Sequence, residues 1–463
     1  MPSGNPRTFG PILPPDYPRA RTSRTRSRKF TTRKKDTNRQ RQTAETRKSG
    51  ACIRCRLHHI RCEREPGQQD GCCQACEHAR RSRRSRVQGL PCMRDGVTDA
   101  ELVDHPDCPR KTWTRRWNGM DMVDISRWAS KTIRTINITQ FVPRSDGVRI
   151  ITYPVEVRQF VPELPGDALS RKWKFDGVEE SYDCEPYGIA DMEKTGATMK
   201  KVVEDSILDS INFYIRGKDT LLRKTYLMAY QYSELPNLRQ EERDLLKAVL
   251  RLWTASRMES RSDYISHGDT LGMKPHDCQK NCPNTNLILT PPVFSAQMEI
   301  IMTSMVLRPT KKEVLRLLRD LIHEQQRQSW FTIYLSLFIL LHSCALLTAA
   351  NVQRALKQGK VSFRPVLDNK VMEKLHHGAA ILLACFHHCN KGSHPFTMDW
   401  TSPNDTSLGE FTEEQRAFMQ DLCVMIDNED QSRTFKKIRK ERTVDHEYYF
   451  VAQMYEYAWK LPR

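Results

Sequence analysis

Residues 52–62 read CIRCRLHHIRC, and Cys73, Cys76 and Cys92 complete a set of six cysteines inside forty-one positions. The spacers are two, six, ten, two and fifteen residues. A two-residue spacer lets both sulfurs of a pair reach one tetrahedral ion, and zinc, a borderline-soft ion with no geometric preference of its own, favours thiolates. So short a stretch holds too few large apolar side chains to build a core, so its fold is expected to come from metal. Two ligand sets fit the spacing. Cys52, Cys55, Cys73 and Cys76 could hold one ion, or all six thiolates could hold two ions with two sulfurs bridging. Cys72 adjoins Cys73, but only Cys73 keeps the two-residue spacer to Cys76.

Charge is distributed unevenly around this stretch. Residues 1–100 hold 24 Lys/Arg against 9 Asp/Glu, whereas residues 101–463 hold 50 against 47, so nearly all of the formal charge of +18 sits at the N-terminal end. Clustered cations displace the counterions condensed on nucleic acid and gain affinity from their release, so the basic part points to a polyanionic partner. Residues 1–49, rich in Arg, Lys, Ser, Thr and Pro, cannot repay the entropy of ordering and are expected to form a disordered basic tail. Arg24-Thr-Arg26-Ser-Arg28-Lys29 and Arg33-Lys34-Lys35 suit nuclear import. The chain opens without a secretory signal pattern, so its 15 cysteines should meet a reducing compartment, where close thiols serve as metal ligands more often than as disulfides.

Beyond residue 98 the pattern is that of a folded body. Ile136 and Ile138, then Val155, Val157 and Val161, alternate like strand residues, and Asp146-Gly147 and Asp176-Gly177 mark turns, so 98–190 is expected to be a linker with a small β-rich segment. From about residue 197 helix spacing takes over, as in Leu245, Leu246, Val249, Leu250 and Trp253, so that 191–463 is expected to be a mainly helical regulatory domain. Thr310 with Glu313 and Thr412 with Gln415 each read as a capping box starting a helix. The expected fold class is a small zinc-stabilised α-helical cluster at 50–97 and a mainly α (α+β) C-terminal body, behind the disordered basic tail.

The stretch CIRCRLHHIRC, the pair Cys73 and Cys76, and the LPCMR ending around Cys92 resemble the fungal-type binuclear zinc cluster of the six-cysteine transcription factors. The run SWFTIYLSLFILLHSCALLTAAN resembles, more loosely, the helical bodies found behind that cluster in filamentous-fungal regulators. The resemblance implies two structural zinc ions held by Cys52, Cys55, Cys62, Cys73, Cys76 and Cys92. Cys52 and Cys73 would bridge, Cys55 and Cys62 would complete one site, and Cys76 and Cys92 the other. It implies a nuclear, non-enzymatic regulator of transcription whose short helix after Cys55 enters the major groove of double-stranded DNA, with Arg54, Arg56, His58, His59 and Arg61 as contact residues. His58 and His59 stand where the family pattern has a lysine pair, which alters base preference, since neutral imidazole offers one donor and one acceptor where lysine offers charge and three donors. Arg80, Arg81, Arg83, Arg84 and Arg86, in the long gap before Cys92, form an arginine cluster suited to phosphate contact. The transcription machinery is a further expected partner, and homodimerisation is left open.

Other features admit other readings. Residues 330–350 carry no formal charge and are long enough to span a bilayer, yet Thr332, Ser336, His342, Ser343 and Thr348 interrupt the run, as in a buried helix; a membrane-tethered regulator is therefore an alternative. A zinc-folded protein-interaction module of ubiquitin-ligase-adaptor type is another. His376, His377, Cys385, His387, His388, Cys389 and His394, like His276, Cys278 and Cys282, are metal-ligating residue types without a recognised ligand spacing. No nucleophile elbow, phosphate-binding glycine loop or paired-carboxylate motif is present to support catalysis.

Overall fold

In a computed structural model of the chain, residues 50–64, 71–81, 90–103, 113–140, 151–215, 220–277, 284–357, 370–402, 408–457 and 459–461 are described, with a few isolated positions besides. The expected basic tail, its import runs, Asp146-Gly147, Cys278, Arg83, Arg84 and Arg86 lie outside the described residues.

The strand alternation of the sequence becomes an antiparallel sheet. β1 (Trp128–Thr139) pairs with β2 (Thr152–Phe160) in a register that sets Ile136 opposite Val155 and Ile138 opposite Tyr153. All four side chains are buried, so one face of the pair belongs to the core. β5 (Tyr187–Ile189) joins the β2 edge, and β6 (Tyr264–Ile265) and β7 (Ile288–Leu289) join the β1 side, giving the order β5-β2-β1-β6-β7. Val161 falls one residue past β2 and is only half-buried. β3 (Ser170–Phe175) and β4 (Val178–Asp183) form a separate hairpin. Its turn is Asp176-Gly177, at φ +48° and +80°, the left-handed pair that a two-residue hairpin demands.

After the sheet strands β1 to β5 the helices of the body begin at Met192, slightly before the sequence periodicity suggests, because Asp191 caps α3 (Met192–Asp205) by accepting from the Lys194 amide at 2.8 Å. α4 (Ile207–Tyr214), α5 (Thr220–Ser233) and α6 (Gln240–Glu259) follow, and Leu245, Leu246, Val249, Leu250 and Trp253 on α6 are all buried. α7 (Pro292–Ile301) carries the buried Gln297, which accepts from the Ile189 amide at 2.7 Å and donates to the Ile189 carbonyl at 3.1 Å, so one side chain satisfies the outer strand of the sheet.

The expected helix start at Thr310 is not one. α7 runs through a π-helical stretch, Met302–Leu307, straight into α8 (Arg308–Glu324), so Thr310 lies inside a continuous helix, buried, and Glu313 pairs instead with Arg251 at 3.2 Å. The π-helical stretch ends two residues before Pro309, which has no amide hydrogen and would crowd a regular turn before it. The Thr412–Gln415 box does form: it opens α11 (Glu413–Asp427), with Gln415 donating its amide to the Thr412 hydroxyl at 3.3 Å and accepting from the Thr412 amide at 2.9 Å. α12 (Glu429–Glu441) and α13 (Val451–Met454) complete the chain.

The uncharged run is α9 (Trp330–Lys357), packed between α5, α6 and α10 (Lys370–Cys389). By length and composition it could cross a membrane, but 83% of its most apolar window is buried within the fold. Its polar residues are used there: Thr332 donates to Glu242 at 2.6 Å and His342 meets the Tyr226 hydroxyl at 2.6 Å.

Gly50–Arg463, cysteine stretch included, form one compact unit. The chain leaving the cysteines, residues 95–103, crosses α10 at Gly378, where a β-carbon would lie 2.3 Å from the Glu101 carbonyl oxygen. Lys311 of α8 pairs with Glu101 at 2.6 Å, and Ala100, Leu102 and Val103 are buried beside it.

Candidate metal centre

Cys52 does two jobs at the start of α1 (Ile53–Leu57). Its sulfur accepts from the Cys55 amide at 3.4 Å and so caps the helix, and the same two-residue spacer turns Cys55 inward beside it. The helix is then stopped after one turn. His59 adopts φ +51°, the Ile60 amide reaches back to the Cys55 carbonyl at 3.0 Å, and the His59 amide to that of Arg56 at 3.4 Å. That is the left-handed helix stop usually given to glycine. α2 (Gln74–Arg81) starts after Cys73 in the second half of the site.

The two halves repeat each other. The Cys52 amide donates to the Cys62 sulfur and the Cys73 amide to the Cys92 sulfur, each at 3.4 Å. Across the centre Cys52 lies 3.8 Å from Cys73 and 3.6 Å from Cys76, and Cys55 lies 3.6 Å from Cys73. Two groups of four sulfurs result, each with every pair within 4.8 Å: Cys52, Cys55, Cys62 and Cys73, and Cys52, Cys73, Cys76 and Cys92. Cys52 and Cys73 belong to both. Cys72 packs at the margin of the cluster and belongs to neither group.

These sulfurs can hold a metal ion, and their electrostatics fit one. Hydrogen bonds from Cys55, Cys76 and Cys92 pull the Cys52 thiol far down, and the same contacts to Cys52 push Cys55, Cys76 and Cys92 up. Burial pushes Cys62 up. Without a counter-charge one thiolate forms and its neighbours resist ionising; divalent cations remove that resistance. The positive groups nearby are mostly committed to holding the shape. Arg94 donates to the Cys62 sulfur at 3.4 Å and to the Gly71 carbonyl at 3.2 Å. Arg54 donates to the Ala75 carbonyl at 2.9 Å, and Arg56 to the carbonyls of Ala51 and Arg94 at 2.8 and 2.9 Å.

The structure therefore divides the residues expected at DNA. Arg54 and Arg56 tie the cluster together. His58 meets His388 of α10 edge-on, ring centroids 6.4 Å apart, and as a residue stays exposed. His59 and Arg61 are exposed, with Arg61 2.6 Å from Glu63, and Arg80 and Arg81 project from α2 beside Glu77. Sequence reasoning passed over Arg94, whose only signal is its place at the end of LPCMR, and over the double life of α1. Its Cys52 and Cys55 side builds the sulfur cluster, while Ile53 and Leu57 belong to the apolar core of the body.

The other histidines and cysteines do not converge. On α10, His376 faces Thr348 at 3.2 Å, His377 faces Asp95 at 3.2 Å, and His387 bonds the Gln453 carbonyl at 3.1 Å while stacking on Trp459. His276 sits against Trp173 and Tyr182, 3.6 Å from Glu180. Among the described residues the two cysteine groups are the ones with metal-holding geometry.

The KpeA transcription factor family matches residues 107–454. The chain belongs to that family. The matched span is the β-sheet and helical body; the six cysteines precede it. A relative of this KpeA-family chain is the Satratoxin biosynthesis SC3 cluster transcription factor SAT20 of Stachybotrys chartarum (strain CBS 109288 / IBT 7711), 22% identical over 449 residues that cover 90% of this chain and 56% of the relative. The chain thus spans about half the length of the curated relative it matches. No solved structure matches this KpeA-family chain.

Proposed function

We propose that this protein is a nuclear, zinc-dependent, sequence-specific DNA-binding regulator of transcription. The observation that carries the proposal is the pair of four-sulfur groups sharing Cys52 and Cys73, the arrangement two zinc ions with two bridging thiolates require. A single ion on Cys52, Cys55, Cys73 and Cys76 would leave Cys62 and Cys92 without a reason to accept the matched backbone hydrogen bonds they receive. Thiolates at every coordination position leave no open site for a substrate, so zinc acts here as a structural element. Membership of a transcription factor family supports the regulatory role.

Duplex DNA meets the exposed side of the cluster. His59 and Arg61, at the end of α1, and Arg80 and Arg81, on α2, supply the accessible polar and cationic groups, and the sequence continues the arginine cluster with Arg83, Arg84 and Arg86. His58 completes the base-reading segment when its face turned to His388 is freed. Phosphate contacts from the arginines set affinity and salt dependence, and the histidine segment sets base preference.

Native mass spectrometry of the full chain tests the metal count: two zinc ions are expected, and fewer in a Cys62→Ala variant. One zinc per chain, unchanged in that variant, would sink the binuclear reading. Fluorescence anisotropy against random duplex tests the partner, with affinity falling steeply from 50 to 200 mM salt; a flat salt response would remove DNA from the account.

A further inference from the structure

Between the cysteine cluster and the helical body lies a cavity of about 410 Å³. Its walls are apolar: Leu57 from α1, Ile322 from α8, Trp330 and Ile333 from α9, and Leu408. Its polar groups sit at one side, where His58 and His388 face it with Gln325, Gln326 and Lys391 at the mouth. No carboxylate is among its lining residues.

His388 is the telling residue. It is only 4% exposed, and neither of its ring nitrogens has a hydrogen-bond partner in the structure. Leaving a buried polar group unsatisfied is costly, so such groups are ordinarily paired. Water could fill a space of this size, roughly a dozen molecules at ~30 Å³ each. Yet the aliphatic and indole walls offer water few partners, and the volume lies within the range of small-molecule sites.

We propose that this cavity binds a small, mainly apolar molecule bearing an anionic or hydrogen-bond-accepting group, and that its occupancy holds α1 against the body. The apolar part lies against Trp330, Ile333 and Leu408, and the acceptor meets the Lys391 ammonium and, once its buried ring turns toward the cavity, His388. The site is made by both regions at once. Leu57 is buried in it, and the Leu57 carbonyl accepts a hydrogen bond from the side chain of Gln325, the left-handed residue that ends α8. A molecule that touches α1 and the body together binds only the docked arrangement, so it shifts the population toward it. The effect on DNA rests on the function proposed above: Leu57 and His58 cannot line this cavity and enter a groove together, so the ligand weakens duplex binding, and DNA weakens ligand binding by the same factor.

The test uses the zinc-loaded full chain and 8-anilinonaphthalene-1-sulfonate, an apolar aromatic anion, followed by fluorescence and calorimetry. Saturable binding of one probe per chain is expected, with affinity at least about tenfold lower in Lys391→Glu, which reverses a charge at an exposed position, and in Gln326→Trp, which fills the mouth from an exposed position. The uncharged N-phenyl-1-naphthylamine should bind more weakly than the anion. Hydrogen exchange at residues 53–60 should slow with the probe bound in wild type and not in the variants. Binding equally strong in both variants, no binding, or unchanged exchange at 53–60 would overturn the proposal. A final titration with duplex DNA separates the two readings. Probe binding and slowed exchange without any DNA affinity would overturn the DNA-binding reading and leave the ligand site standing. DNA affinity unaltered by saturating probe would overturn the ligand's control of docking.

Discussion

The cysteine cluster and the helical body solve the same problem by different chemistry. Around the cluster, the buried atoms are sulfurs with a margin of small residues such as Ala51 and Ala75, and nothing there approaches the hydrocarbon density of a core. In the body, α9 packs Leu, Ile, Phe and Trp side chains against those of α6 and α10. The first region offers thiolates that a metal ion could bind, whereas the second is held by area removed from water. α1 belongs to both: its cysteines join the sulfur cluster, its Ile53 and Leu57 the body. A helix of five residues has no stability of its own, so the two environments decide where it sits.

Removing metal should separate the regions most sharply. Chelation takes away binding energy on the order of 10 kcal/mol in comparable sites, so amide protection in 52–62 and 71–81 should collapse while α6 and α9 stay protected by hydrogen exchange. Equal loss in both regions would erase the comparison. The converse perturbation is Phe338→Ala on α9, a side chain with no exposed surface. It should cost about 3–5 kcal/mol in thermal or denaturant unfolding and leave the zinc stoichiometry by mass spectrometry as in wild type.

The seam between the regions offers a smaller test. Gly378→Ala places a β-carbon against the Glu101 carbonyl, backbone that cannot rotate away, so residues 95–103 must lift from α10. A penalty of about 1–3 kcal/mol is expected, seen as faster exchange in 97–103 rather than in α6. If α6 loosens first, the crossing is not the weak seam.

The last effect concerns pH. Burial pulls His387 down to about 4, while its hydrogen bond to the Gln453 carbonyl partly opposes this and the nearby His394 adds to it; its ring stacks on Trp459. Exposed on unfolding, the ring regains a pKa near ~6.5 and binds a proton the folded body refuses, so stability is level above that pH and falls as pH drops toward 4. At pH 5 the loss is about 2 kcal/mol relative to pH 7. His387→Phe keeps a ring on Trp459 but cannot titrate, so its stability should fall less over the same range. Matching slopes for variant and wild type would remove His387 from the pH response.

Much of the architecture is legible in residues close together in the chain. The cysteine spacers, the Asp176-Gly177 turn, the Thr412–Gln415 box and the helix spacing of Leu245 to Trp253 all report local geometry, and local geometry is what short spacings encode. The Thr310–Glu313 box misleads because its signal is also local. Nothing around it announces that α7 runs on through a π-helical stretch into α8, so the capping hydroxyl had no free amides to serve.

The sequence by itself determined where six closely spaced thiols lie, where the charge lies, and that residues 330–350 must be kept from water. Only the tertiary structure decided what the other residues around the cysteines are for. Arg54 and Arg56, cations in a basic stretch, turn inward because carbonyls of Ala75, Ala51 and Arg94 happen to lie within their reach, distances set by how the segment folds back. His59 stops a helix because the chain needs a left-handed residue there, and histidine tolerates that conformation better than most. Leu57, His58 and His388, 331 positions apart at the extremes, line one cavity only because α1 docks on α8 and α10. Contacts between residues so distant in the chain leave no spacing to read, since they arise from packing that every other buried side chain helps to choose.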